Sequence, residues 1–492
     1  MNLHAPWLQL GAFLPLAGAV LVGRMRTFEA ARKWALVFSG ATFACATAAW
    51  LDFVWAGAGR GVVRDSLDLV AYVTGSADGV LGIDALSAPL LPLTAFLFLC
   101  TAVVTARVKK RQFSFAWNLA AEGILLATFC CKEPWAVVGL LIAGTVPPYV
   151  ELRQRGAPTG VYVWHMGLFA ALLALGWALA GGGAGRGPSA WVTLLPLVLA
   201  VLLRGGVAPL HCWATDLFER GSFGTAVLFV APMPAAYAAL RLVAPVSPDG
   251  VLRGVGLLAL VTALYAAGMA LVQKEARRFF CYLFLSHSAL VLVGLDTTRP
   301  VGLTGALTMW LALALTLSGF GLTLRALESR HGRLSLTRFH GLYDHKPALA
   351  GCFLLTGLAS VGFPGTVGFL GAEMVVDGTV GTSAYVGVVV VLAAALNGIA
   401  VVRAYFLLFN GTRHVSSVPL GVKGRERVAV LALAGLVFLG GLFPQAGVSS
   451  RYQAALEVLE QRKALRGGEA DDVSARSRWR LLRGSTPAAA AP

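Results

Sequence analysis

The sequence predicts an all-α, polytopic membrane protein of about fourteen transmembrane helices, two of them discontinuous. Three observations lead there. The 492 residues are 57% hydrophobic and only 13% charged, with a mean hydropathy of +0.73, a balance outside the range of soluble domains. Apolar stretches of about 18 residues or more recur between charged or Gly/Pro-rich gaps, each long enough to cross a hydrocarbon core of roughly 30 Å. Their length and lack of strict alternation exclude a barrel, whose strands are about ten residues long and dyadic.

The expected spans can be taken in order. The first, 5–23, has no Lys or Arg before it and no small-residue cleavage site, so it reads as a retained helix and not as a signal peptide. Spans at 34–56 and 84–106 follow, and the fourth, 113–131, places Glu122 deep within "FAWNLAAEGILLATF". After 134–152 and 161–182 comes the seventh, 191–212, where "LLRGGVAPLHCWATDL" sets Arg204 at the end of an apolar run and then supplies Gly205, Gly206 and Pro209. Spans at 222–246, 251–273, 279–296 and 301–325 lead to the twelfth, 347–374. There "SVGFPGTVGFLGAE" inserts Gly362, Pro364, Gly365 and Gly368. The last two are 383–409 and 427–445. Residues 1–446 thus form one membrane bundle, and 447–492 form a tail with an amphipathic helix candidate at about 450–466 and a Gly/Ser/Ala/Pro-rich end.

The two interrupted spans leave backbone groups unpaired, which lipid does not tolerate. They face protein or a wet cavity. Paired discontinuous helices point to an ion pathway at the midplane; the alternative is ordinary Gly/Pro kinks that let helices pack closely.

Charges within spans are expensive and few. Asp84, Arg241 and Arg403 lie near span ends and read as snorkelling anchors. Glu122 needs a partner, and Arg204 is the natural one, because a carboxylate and a guanidinium buried together lower each other's cost. His165 and His287 read either as satisfied interior histidines or as proton relays. His211, Asp216 and Glu373 complete the candidates, with Glu275 at a helix entrance.

The net charge of +16 does not point to nucleic acid, because the basic residues sort by loop. More than half of the 40 Lys and Arg fall in loops after odd-numbered spans, such as "RMRTFEAARK", "ARVKKRQ" and "QKEARR", and only five in loops after even-numbered ones. The positive-inside rule then puts the odd loops in the cytoplasm and both termini outside, although the tail from Val448 carries eight basic residues of its own. The seven Cys form no CxxC and no grouping with His at metal spacing. There is no GxGxxG after a strand, no P-loop and no Ser/His/Asp spacing, so neither a catalytic site, a metal nor a cofactor is expected on this chain.

Six segments in order resemble the antiporter-like membrane subunits of respiratory complex I, a family shared with multisubunit sodium/proton antiporters and with the membrane subunit of DAB-type inorganic-carbon uptake systems. They are "LGIDALSAPLLPLTAFLFL", "AAEGILLATF", "APLHCWATDLFERGSFGTAVL", "ALVQKEARRFFCYLFLSHSALVLVGL", "GLASVGFPGTVGFLGAE" and "GLFPQ". The resemblance implies an inverted internal repeat, two half-channels and a central chain of Glu, Lys and His that passes protons. Carried over by position, Glu122 stands at the fourth-span glutamate and Arg204 at the seventh-span lysine. Ile142 replaces the glutamate that pairs with that lysine, Trp310 and Ala314 replace a His and a Lys, and Ala372 replaces the twelfth-span lysine, with Glu373 beside it. Arginine holds its proton where a buried lysine releases it, so the relay is depleted.

Three functions fit this reading. One is a subunit of a complex-I-like ion-translocating assembly in the cell (inner) membrane, among other membrane subunits that carry the redox chemistry, which makes the chain at most part of an NADH-quinone-oxidoreductase-like enzyme. Another is the membrane partner of a cytoplasmic zinc-binding carbon-uptake protein. The third is a structural subunit that conducts nothing.

Overall fold

The computed structural model describes residues 2–55, 61–75, 79–105, 113–181, 190–295, 299–344, 347–380, 384–411 and 424–466. The "ARVKKRQ" loop at 106–112 and the end of the tail from 467 lie outside the described residues.

Among the described residues the regular structure is helical, apart from the two-residue strands Val63–Arg64 and Gly82–Ile83, which pair antiparallel. In chain order the helices are α1 (Trp7–Gly23), α2 (Phe28–Trp55), α3 (Leu69–Thr74), α4 (Leu90–Val104), α5 (Phe115–Cys130), α6 (Pro134–Ala143) and α7 (Val146–Gln154). There follow α8 (Gly160–Gly181), α9 (Ala190–Gly205), α10 (Cys212–Arg220), α11 (Phe223–Val230) and α12 (Pro234–Ala238), the last running on as a π-helical turn over Ala239–Val243. The remainder are α13 (Asp249–Val272), α14 (Ala276–Leu295), α15 (Pro300–His331), α16 (Pro347–Ser360), α17 (Val367–Val380), α18 (Ala384–Phe409), α19 (Gly424–Leu442) and α20 (Pro444–Arg466).

Among the described residues, eight helical stretches are long and apolar enough to cross a membrane, nine if the bent pair α19–α20 counts as one span. Five further apolar helices, including α1, α4, α5 and α16, are shorter. Two of the eight are interrupted within: α6 gives way to α7 at Gly144–Thr145, and α11 to α12 around Met233, which holds a left-handed φ of 52°.

The bundle is assembled around α14 and α15, whose surfaces are almost wholly covered by neighbours. Close helix approach depends on absent side chains. A Cβ on Gly378 of α17 would stand 2.3 Å from the Cα of Gly302 in α15, and one on Gly176 of α8 would stand 2.3 Å from the backbone N of Leu197 in α9. Without water to drive apolar association in lipid, such backbone-to-backbone contact is how membrane helices gain packing energy.

Among the described residues, the loops around 274–278 and 326–336 and the start of α19 meet at one end of the bundle. There Arg277 pairs with Glu328 at 2.6 Å, Arg330 with Glu426 at 2.5 Å, and Ala276 N–H donates to the Leu334 carbonyl. At the other end Leu3 N–H donates to the Arg64 carbonyl, and α20 turns 82° from α19 to lie across the bundle. Arg451 of α20, 1% exposed, donates to the carbonyls of Leu86 and Ala85, and Arg462 pairs with Asp249. Two of the tail's basic residues are therefore consumed in docking the helix.

Candidate functional site

The seventh expected span stops as a helix at Gly205. Gly206 adopts φ 69°, a left-handed conformation that suits glycine, the Ala208–Pro209 peptide is cis, and α10 starts only at Cys212. Arg204 is the last charged side chain before this break and is 5% exposed. Its Nη2 donates to the Phe229 carbonyl at 3.0 Å, and the guanidinium lies 3.8 Å from the Phe229 ring centroid and 5.4 Å from that of Trp213. Among the described residues no carboxylate lies within 4 Å of it. Cation–π contacts are strongest when desolvated, but they leave the net charge in place.

Two small cavities meet at Arg204. One, of about 50 Å³, is lined by Asn118, Glu151, Arg204, Thr225 and Phe229 among others, and the second, of about 20 Å³, by Arg204, Gly205, Met233, Phe284 and Ser288. Glu151 of α7, 4% exposed, is the carboxylate facing the larger one. Its Oε1 accepts from Arg155 Nε at 2.5 Å and from the Ser222 backbone N–H at 2.9 Å. Glu151 sits beside a span end in "YVELRQR", where a carboxylate one turn from an arginine reads as a solvated i,i+4 pair. Only its 4% exposure marks it out.

Glu122 does not meet Arg204. It is fully buried in α5 and accepts from Ser39 Oγ of α2 at 3.1 Å, while its Oε2 has no hydrogen-bond partner among the described residues. Asn118, Ala121 and Leu125 of the same helix line the Arg204 cavity; Glu122 lies at the edge of that face and turns to α2. The sequence predicts Arg204 as its partner, but helix rotation decides which neighbour it meets.

The remaining candidates separate into interior and surface. His211 caps the start of α10, with ring centroids of Tyr265 and Tyr282 at 5.5 and 5.8 Å and its Nδ1 unpartnered among the described residues. His287 is buried in α14, its Nδ1 2.8 Å from the Leu283 carbonyl, with Asn397 of α18 at 3.5 Å and the Ser360 backbone beside it. That backbone ends α16, where Gly362 and Gly365 both take φ 86°, and Pro364 lies in the turn before α17. His165, by contrast, is only half-buried on α8, near Asp216, and Glu373 is exposed on α17. Neither lies on the interior line that the breaks define.

The positions at which the sequence resemblance expects relay residues are apolar and packed into the interior. Trp310 is 1% exposed and donates its indole N–H to the Pro232 carbonyl at 3.0 Å, beside the α11–α12 break. Ala314 is fully buried, and Ile142 and Ala372 pack against the core.

Asp84 and Arg241, read from the sequence as anchors, form an interior cluster instead. Asp84, 2% exposed, is held by Arg241 Nη2 at 2.6 Å and by Lys132 Nζ at 2.9 Å. Burial and the Arg241 charge push the Lys132 amine down to about 8. Lys132 was missed because it sits in a short gap between spans.

An all-α bundle with helices broken around buried charges defines a polytopic membrane protein. Residues 179–397 match the family model described as NADH:quinone oxidoreductase/Mrp antiporter, TM. Subunit 13 of NADH-quinone oxidoreductase from Thermus thermophilus is 28% identical over 389 residues, covering 74% of this chain and 81% of the relative. Subunit M from Pseudomonas aeruginosa is 26% identical over 266 residues, 52% of this chain and 51% of that one. Among solved structures, a chain of the Mrp complex from Dietzia superposes with a TM-score of 0.80 at 18% identity, covering 92% of this chain and 98% of its own. One from respiratory complex I of Thermus thermophilus superposes at 0.77 and 23%, covering 92% and 99%. The chain is similar to the antiporter-like membrane subunits of complex I, and its fold is shared with a chain of the Mrp complex.

Proposed function

We propose that the chain is the antiporter-like subunit of a multisubunit ion-translocating complex and carries a depleted proton relay. The single observation behind this is Arg204: a cation buried in the membrane, with no carboxylate within 4 Å among the described residues, at an unwound helix end where two cavities meet. Such a group is costly, and a fold that only needed packing would place an apolar residue there. The relatives are subunits of complex I and of the Mrp complex by name, which supports partners of the same kind here.

On this reading the chain crosses the cell (inner) membrane fourteen times as two inverted halves, with the basic end in the cytoplasm and both termini opposite. Ions enter by the cavity between Glu151 and Arg204. Past Arg204 they move by way of Ser288 toward His287 and the second break at 362–365, and Glu122 and His211 act as side stations. The relay is short of lysines at Arg204, Ala314 and Ala372, so Arg204 acts as a fixed charge that sets the potential of the path.

The test is ion flux in proteoliposomes holding the intact complex. Arg204→Ala and Glu122→Gln should each cut flux with assembly unchanged. Loss of assembly with undiminished flux per assembled complex would instead mark a structural subunit.

The fixed guanidinium favours one second reading, in which an anion is the cargo and the chain is the membrane partner of a zinc-binding inorganic-carbon uptake protein. Growth of a deletion strain rescued by elevated carbon dioxide distinguishes the two.

A further inference from the structure

At the basic end of the bundle lies a cavity of about 260 Å³, separate from the Arg204 cavities and much larger than either. The space is many times the ~30 Å³ that one water takes in the liquid. Arg155, Arg277, Arg325 and Arg333 line it, with Glu328 as the sole lining carboxylate among the described residues. Glu328 is taken by Arg277, which binds it through Nε at 2.6 Å and Nη2 at 2.7 Å and spends Nη1 on the Phe218 and Gly221 carbonyls. Arg155 gives only its Nε to Glu151, leaving both terminal nitrogens without a partner among the described residues. Arg333, at the rim, donates Nη2 to the Glu219 carbonyl at 2.7 Å and keeps Nη1 3.7 Å from Glu275.

Arg325 is the informative member. Nη2 donates to Thr105 Oγ1 at 2.8 Å and the guanidinium lies 4.9 Å from the Phe113 ring centroid, but Nη1 is shielded from solvent and has no partner among the described residues. Room for it exists because residue 224 is glycine: a Cβ there would stand 2.3 Å from that same Nη1. A buried guanidinium nitrogen with nothing to bond is costly. Four cations around a cavity of this size, with donors left over on two of them, make the fork geometry that oxyanions fit.

We propose that this vestibule is a binding site for a phosphate oxyanion, held by Arg325 and Arg155 with Arg333 at the mouth. It lies near the ends of α7 and α15, which on the proposed topology is the depth of a lipid headgroup, and basic pockets between helices at this depth take anionic headgroups. The phosphate comes either from an anionic phospholipid or from free phosphate. Since Arg155 also holds Glu151 of the Arg204 cavity, occupancy of the vestibule adjusts that ion pair from the far side.

The test uses the full-length protein, delipidated in neutral detergent. Native mass spectrometry reads retention of phosphatidylglycerol against phosphatidylcholine, and thermal unfolding reads stabilisation by inorganic phosphate. Arg325→Gln is the interior variant, and Arg333→Gln, at the half-exposed rim, guards against misfolding of the first. Selective retention of phosphatidylglycerol, weakened about tenfold by either variant, assigns the site to a lipid headgroup. Stabilisation by inorganic phosphate, lost to the same extent in the variants, assigns it to the free ion. Absence of both effects in the wild type, or equal binding by wild type and both variants, overturns the proposal.

Discussion

Glu151 Oε1 takes Arg155 Nε at 2.5 Å and the Ser222 backbone N–H at 2.9 Å, and this three-way contact stands between the Arg204 cavity and the arginine vestibule. Both side chains are largely buried, at 5% and 12% exposure. Removing one member of a buried pair costs about 3–5 kcal/mol, because it strands the other. Glu151→Gln and Arg155→Gln should each lower thermal stability on that scale, and the double variant by less than their sum. Additive losses would show that the two residues do not act together.

The chemistry of Arg204 can be changed without removing its charge. Arg204→Lys replaces a permanent cation with an amine that releases its proton when buried. Flux through the assembled complex should acquire a dependence on pH between about 6 and 9 that the wild type lacks. Identical pH profiles would mean that the charge at this position does not govern the path.

Helix packing gives a paired test. Gly378→Ala drives a Cβ to 2.3 Å from the Gly302 backbone and should destabilise by about 1–3 kcal/mol through overpacking. Gly254→Ala, in α13 with nothing within 4 Å of its Cβ, should be neutral or stabilising by up to about 1 kcal/mol through helix propensity. Chemical denaturation in mixed micelles measures both.

A pH-dependent anchor lies outside the spans. Asp65 accepts the Leu8 and Gln9 N–H groups at 3.2 and 2.9 Å, tying the start of α1 to the loop after α2. Burial pushes its carboxyl up to about 6 from an ordinary 3.8. The folded state therefore binds the proton more tightly than the unfolded one. The associated stability is present below about pH 4 and lost as the pH rises through about 6. In Asp65→Asn this slope between pH 4 and 6 should vanish; an unchanged melting profile across that window would refute the assignment.

The class of the protein and two of the places where its helices stop were legible in the chain, because both follow from local chemistry, whereas the breaks at Gly144–Thr145 and around Met233 fall inside stretches that read as whole spans. Lipid demands long apolar helices, and Gly205, Gly206, Pro209, Gly362, Pro364 and Gly365 cannot all continue one; the helices end at Gly205 and at Ser360. The cost of a buried charge likewise drew attention to Glu122 and Arg204 before any neighbour was known. Which groups meet was not legible. Glu122 faces Ser39 and not Arg204, Asp84 sits between Lys132 and Arg241, and Glu151 holds the Arg204 cavity, because each contact depends on how a helix is rotated about its axis and where it crosses its neighbours. A rotation of one residue, about 100°, carries a side chain from a cavity to the next helix or to lipid. His165 and Glu373, polar residues in spans like the others, lie half-buried and exposed respectively for that reason.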